Sequence, residues 1–194
     1  MSILEKDKSF VWHPFTQYQT SGDPLVIVKG EAHYLIDEDG KKYIDANSSW
    51  WTNVHGHSNK YLAEKVYEQF LTLDHSIFAG ATHPRAVEIS ERLIQLLQRD
   101  FQKVFFSDNG STSTEVALKM AFQYWYNKGD SKRKRMLAIE GAYHGDTFGA
   151  MSVGQRGYFN KPFEHLFFDV DFIPFPTEEN KEEVIQKVES LFST

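Results

Sequence analysis

No cysteine occurs among the 194 residues. That excludes a disulfide framework and any thiolate metal site. An excess of positive charge is missing too. The 21 Lys and Arg are outnumbered by 27 Asp and Glu, for a formal net charge of −6, whereas a nucleic-acid-binding domain is usually basic. No apolar run approaches the roughly 20 residues of a membrane span. The first ten residues carry Glu5, Lys6, Asp7 and Lys8 and hold no apolar stretch of signal-peptide length. A soluble, cytoplasmic protein with neither a nucleic-acid nor a membrane partner is the expectation. Internal repeats and low-complexity tracts are also lacking.

What is present suffices for a core. Apolar residues make up 41% and aromatics 15%, which fits one domain or one domain with an appendage. Residues 1 to about 24 read as irregular, broken by Pro14, Gly22 and Pro24. Leu25–Val28, His33–Asp37 and Lys42–Asp45 have strand character, with a turn at Asp37–Gly40, and predict a small antiparallel meander. Ala46 to Asn59 reads as a loop with two tryptophans inside it. Helices are predicted over Tyr61–Leu73, with Leu62, Val66, Phe70 and Leu73 on one stripe, and over Pro84–Arg99, with Pro84 at the first helical position. Lys103–Phe106 predicts a short strand, Thr112–Asn127 a long helix, Gly129–Arg135 a basic loop, Met136–Ile139 a second strand and Glu178–Phe192 a last helix. This alternation predicts an α/β domain with a mainly parallel sheet, begun rather than completed.

Two turns carry candidate chemistry. Val104 to Thr112 runs from strand to helix through Ser107-Asp108-Asn109-Gly110-Ser111. Free N–H groups at a helix start suit a phosphate, Gly110 admits close backbone approach, and Ser111 and Thr112 offer hydroxyls. The alternative is a plain helix cap, with Glu115 closing a capping box on Thr112. Glu140 to Thr147 follows the next strand, where open α/β sheets form their ligand crevice. There Tyr143 offers a ring to a planar heterocycle, with His144 and Asp146 to orient it. The alternative is a structured turn; a metal site at His144 and Asp146 lacks a third ligand.

The pair Trp50-Trp51 in Ser48-Ser49-Trp50-Trp51 cannot both face a core from a regular strand. At least one belongs in a pocket or interface, or the pair divides between core and surface. His55 and His57 have no carboxylate partner in sequence and read as structural rather than metal-binding.

Taken together, Trp12-His13-Pro14-Phe15-Thr16-Gln17, Ser48-Ser49-Trp50-Trp51, His55-Gly56-His57, Phe106 to Ser111, Ala121 to Trp125 and Tyr143-His144-Gly145-Asp146-Thr147 resemble the class III pyridoxal-phosphate aminotransferases in order and spacing. The resemblance runs from about residue 10 to about 176. The opening Trp-His-Pro-Phe-Thr segment and the double tryptophan resemble the branch of that family that serves biotin biosynthesis.

The resemblance implies a pyridoxal 5'-phosphate cofactor, with Gly110 and Ser111 at its phosphate and Tyr143 beside its ring. It implies substrate contacts at Trp50, Trp51, Phe15, Tyr143 and Asp146. Phe15 stands where some relatives have tyrosine. The implied reaction transfers an amino group to 7-keto-8-aminopelargonate to give 7,8-diaminopelargonate, with S-adenosylmethionine or lysine as donor. Another class III ω-aminotransferase and a non-catalytic binding module remain alternatives.

Residues 1–59 correspond to an N-terminal arm and small-domain segment, and 60–194 to the first, truncated part of the large cofactor-binding domain. The resemblance implies a homodimer when full length, with the arm and the loop Phe78–His83 reaching the partner. It also places the Schiff-base lysine outside this chain; Lys103, Lys119 and Lys161 lack its Gly-flanked setting. The 194 residues alone are expected to be a fragment and inactive.

Overall fold

A computed structural model describes residues 1–97, 100–130 and 132–193. The chain forms two compact units, Met1–Val87 and Glu88–Thr194.

The first unit opens with helix α1 (Ile3–Phe10), where irregular chain was expected. Its cause is a reciprocal cap. The Ser2 hydroxyl accepts the Glu5 N–H at 3.2 Å, and the Glu5 carboxylate accepts the Ser2 N–H at 2.7 Å. Two of the orphan donors of the first turn are thereby satisfied.

The expected meander follows as β1 (Ile27–Glu31), β2 (Tyr34–Asp37) and β3 (Lys42–Ile44), antiparallel in the order β1-β2-β3. Asp37 closes the β2–β3 turn. Its carboxylate accepts the N–H groups of Asp39 and Lys41 at 3.1 and 2.8 Å. Gly40 takes φ 81° there, a left-handed value that glycine adopts without a Cβ penalty.

Helix α3 (Lys60–Thr72) starts at an Asn59 cap, and its stripe residues Leu62, Val66 and Phe70 stay exposed in this chain. Helix α4 (Pro84–Leu97) begins at the proline, as predicted. Residues 98 and 99, the end of the expected helix, lie outside the described residues, as does 131 in the basic loop. Between β3 and α3 lies α2 (Ser48–Trp51), a single left-handed turn in the stretch expected to be loop.

In the second unit, α5 (Gly110–Asn127) leads to β4 (Met136–Ile139). Next come α6 (Phe148–Ser152), a 3-10 turn (Lys161–Leu166), β5 (Val170–Ile173) and α7 (Lys181–Phe192). Strands β4 and β5 pair in parallel, Met136 opposite Val170 through Ile139 opposite Ile173. Parallel pairing requires a crossover, which α6 and the 3-10 turn supply. Ala138, Ala150, Val153, Ile173 and Val184 form the buried core here, with Ser152 fully enclosed.

The expected strand Lys103–Phe106 does not form. An apolar run becomes a strand only by pairing, and the ladders among the described residues join β1 to β2 to β3 and β4 to β5 only. Phe105 accordingly lies exposed.

Candidate functional site

Each unit builds one constellation. In the second, the turn before α5 is shaped by Asn109. Its side chain accepts the Thr112 N–H at 3.0 Å, while the Thr112 hydroxyl accepts the Asn109 N–H at 3.2 Å. The cap is therefore Asn109, two residues inside the expected loop, and α5 starts at Gly110. The Thr112 hydroxyl is not a free phosphate donor as expected, since it also donates to Asp108. That bond is the main reason the Asp108 carboxyl sits below the usual aspartate range. A Cβ built on Gly110 would meet nothing within 4 Å, so open space fronts this first turn.

Glu115 does not close a capping box on Thr112. It reaches across to the start of α6, where its Oε1 accepts the Thr147 hydroxyl at 2.6 Å and the N–H groups of Gly149 and Ala150 at 2.7 and 3.2 Å. The Thr147 bond leads in holding this carboxyl below the ordinary glutamate value. Burial opposes it, and the two backbone N–H groups add to the lowering. A carboxylate at a helix start satisfies orphan donors and faces the positive end of the dipole. Thr147 itself makes no side-chain cap, so the cap of α6 comes from another helix.

The loop between β4 and α6 is thereby pressed against α5. The Asp146 N–H donates to Ser111 Oγ at 3.2 Å, and the Thr114 hydroxyl donates to the His144 carbonyl at 3.2 Å. Gly145 makes this approach possible. A Cβ there would stand 2.6 Å from Ser111 Cβ and 2.8 Å from Ser111 Cα, and its φ is 116°. Tyr143 projects from the loop, 76% exposed, and its hydroxyl donates to Asp146 Oδ2 at 2.8 Å. That bond, with burial second, raises the Tyr143 phenol above its ordinary value. Hydrogen bonds thus link Ser111, the neighbour of Gly110, to Asp146 and Asp146 to Tyr143.

In the first unit the aromatic residues gather. The Phe15 and Trp50 rings lie 5.4 Å apart, tilted by 52°, and Trp50 and Trp51 lie 6.3 Å apart, near edge-on at 76°. Neither tryptophan is buried in this chain, so they do not divide between core and surface. Their backbone is unusual: Phe15, Ser48, Ser49, Trp50 and Trp51 all have positive φ, from 49° to 67°. A left-handed residue other than glycine costs roughly 1–2 kcal/mol, so something must hold this turn.

Asp45 holds it. Its Oδ1 accepts the Ser49 N–H at 2.9 Å, its Oδ2 accepts the Ser49 hydroxyl at 2.7 Å, and its carbonyl accepts the Ser48 N–H at 3.2 Å. His57 Nε2 reaches the same Oδ2 at 2.8 Å. The Ser49 N–H leads, then its hydroxyl and the His57 contact, in holding the Asp45 carboxyl below its usual range. His57 thus has a carboxylate partner, contrary to the sequence reading, which had no means of seeing a contact across 12 positions. No group of three or more potential metal ligands gathers among the described residues.

Comparison with known proteins fits this geometry. The profile of the family described as Aminotransferase class-III matches residues 17–194. The chain belongs to the class III aminotransferases. It is 52% identical over 166 residues to the adenosylmethionine-8-amino-7-oxononanoate aminotransferase of Synechococcus elongatus, covering 86% of this chain and 39% of that one. The protein of the same name from Geobacter sulfurreducens is 43% identical over 177 residues, covering 90% and 39%.

Among solved structures, the adenosylmethionine-8-amino-7-oxononanoate aminotransferase of Methanocaldococcus jannaschii matches with a TM-score of 0.84 at 37% identity. The match covers 94% of this chain and 43% of that one. An omega transaminase from Pseudomonas jessenii, in complex with PMP, matches at 0.82 with 29% identity, covering 91% and 40%. The chain spans about two fifths of the length of the curated relatives it matches. The aminotransferase α/β fold expected from the sequence is the one observed.

Proposed function

We propose that this chain is the N-terminal part of a pyridoxal-phosphate-dependent aminotransferase of biotin biosynthesis. The reaction moves an amino group to 7-keto-8-aminopelargonate and yields 7,8-diaminopelargonate. S-adenosylmethionine is the amino donor on this reading, which follows the name its relatives carry.

The observation that carries the reading is the lock between Ser111 and the Tyr143 loop. The Ser111 oxygen accepts from Asp146, so its own O–H remains available to an anion. The Gly110 and Ser111 N–H groups start the 18-residue helix α5, and a helix start favours negative charge. The open space before Gly110 leaves room for a phosphate. These residues fit pyridoxal phosphate, with Gly110 and Ser111 at the phosphate and the exposed Tyr143 ring beside the pyridine.

When bound, the cofactor supplies an electron sink for amino transfer. Tyr143 orients it and contacts substrate. Asp146 fixes the Tyr143 hydroxyl and lends negative charge to an incoming amine. Phe15, Trp50 and Trp51 offer apolar faces to the aliphatic chain of the keto substrate. The lysine that tethers the cofactor is proposed to lie in the part of the longer relatives that this chain does not span. The full-length protein is proposed to be a cytoplasmic homodimer, with residues 1–59 in its arm and small domain and 60–194 in its large domain. A substrate panel on a full-length chain carrying this segment tests the reading. 7-keto-8-aminopelargonate is expected to be the preferred acceptor, ahead of the carbonyl acceptors used by ω-aminotransferases.

A further inference from the structure

We infer that Asp45 and His57 are positioning residues for substrate recognition: together they hold the left-handed turn Ser48–Trp51 that presents the two tryptophans. The inference rests on the reading of Trp50 and Trp51 as substrate contacts.

Four successive residues of this turn have φ between 49° and 67°, and none is glycine. Such backbone persists where surrounding groups over-determine it. Asp45 does so by engaging the first two residues of the turn through both carboxylate oxygens and its carbonyl. Its side chain is 6% exposed. A carboxylate bonded this way has one orientation as long as its second oxygen keeps both donors, and His57 is one of them.

His57 is itself fixed. Its N–H donates to the Ala32 carbonyl at 2.7 Å, and its carbonyl accepts the Ala32 N–H at 3.2 Å. Its ring sits where a Cβ on Gly30 would approach to 2.6 Å from His57 Cβ and 2.8 Å from Cγ. The chain of support therefore runs from the meander through Gly30 and Ala32 to His57, to Asp45 and to Ser48 and Ser49, while Asn47 accepts the Trp50 and Trp51 N–H groups at 3.5 and 2.8 Å. Neither Asp45 nor His57 has to touch substrate for this role.

The test uses the full-length, cofactor-loaded enzyme carrying this segment. Asp45→Asn is expected to raise KM for 7-keto-8-aminopelargonate roughly tenfold, the scale of one lost hydrogen bond to a charge, with cofactor affinity unchanged. Ser48→Gly in that background is expected to recover much of the loss, because glycine adopts positive φ without needing the carboxylate. A merely structural role would lower thermal stability and leave KM of the folded enzyme alone. If Asp45→Asn fails to fold, Ser49→Ala decides, since it removes only the hydroxyl bond: a raised KM supports the inference and an unchanged KM overturns it. Trp50→Ala separates the two levels. If it leaves KM unchanged, the pocket reading falls and takes this inference with it. If it raises KM while Asp45→Asn and Ser49→Ala do not, the pocket reading stands and only the positioning role is overturned.

Discussion

Ser111 and Asp146, 35 positions apart, meet in a hydrogen bond of 3.2 Å from the Asp146 N–H to the Ser111 hydroxyl oxygen. The contact ties the start of α5 to the loop that carries Tyr143, and it exists because residue 145 has no side chain. Gly145→Ala is therefore expected to push the loop away from α5 and to weaken cofactor binding in the full-length enzyme by roughly tenfold or more. Titration of the apoenzyme with pyridoxal phosphate measures this. Unchanged affinity in a folded variant would show that the loop and the turn act independently.

Gly110→Val addresses the phosphate turn directly. A Cβ at Gly110 meets nothing within 4 Å in this chain, whereas a phosphate seated against the backbone there would meet the side chain. Cofactor affinity is expected to fall by at least about tenfold with little change in the thermal stability of the apoenzyme. Equal affinities for variant and parent would remove Gly110 from the cofactor site.

Trp50→Ala is expected to raise KM for the keto substrate, at a binding cost on the order of 1–3 kcal/mol for a lost aromatic contact. Steady-state kinetics of the full-length enzyme decide it. Lower stability with unaltered kinetics would leave the tryptophans as packing.

Glu115→Gln probes the cap on α6. The folded carboxyl is held below its ordinary value, so its stabilisation is fully present above the ordinary glutamate range. It is lost as pH falls through that range toward the folded value. The variant is expected to be less stable by about 1 kcal/mol at neutral pH, the scale of a lost cap. The difference in Tm from the parent should shrink on acidification. A difference that is constant or grows at low pH would contradict the assignment.

The isolated 194 residues are expected to self-associate. Leu62, Val66 and Phe70, one stripe of α3, are all exposed, and an uncovered apolar face of that kind marks a contact region. Sedimentation measures this; a monomer that unfolds cooperatively would contradict it.

Much of this was legible along the chain. The meander, helices α3, α4, α5 and α7 and strand β4 follow from local periodicity, and Tyr143 and Asp146 lie in the loop that follows β4. Helix α1 has a local signal, the Ser2-x-x-Glu5 capping box, which lies ahead of the breakers Pro14, Gly22 and Pro24. Other features were not legible. The cap of α6 is a glutamate 32 positions upstream of Thr147. The support of the tryptophan turn depends on Asp45 meeting His57, and no local pattern announces four non-glycine residues at positive φ. Lys103–Phe106 shows the converse case, a strand pattern that forms no strand.

Product analysis tests the proposed reaction without an intermediary. A full-length chain carrying this segment, loaded with pyridoxal phosphate, is given 7-keto-8-aminopelargonate and S-adenosylmethionine, and 7,8-diaminopelargonate is measured. That product is expected, with much less of it when Tyr143 is replaced by alanine. Absence of the product in an enzyme that readily transaminates ω-amino acids would contradict it.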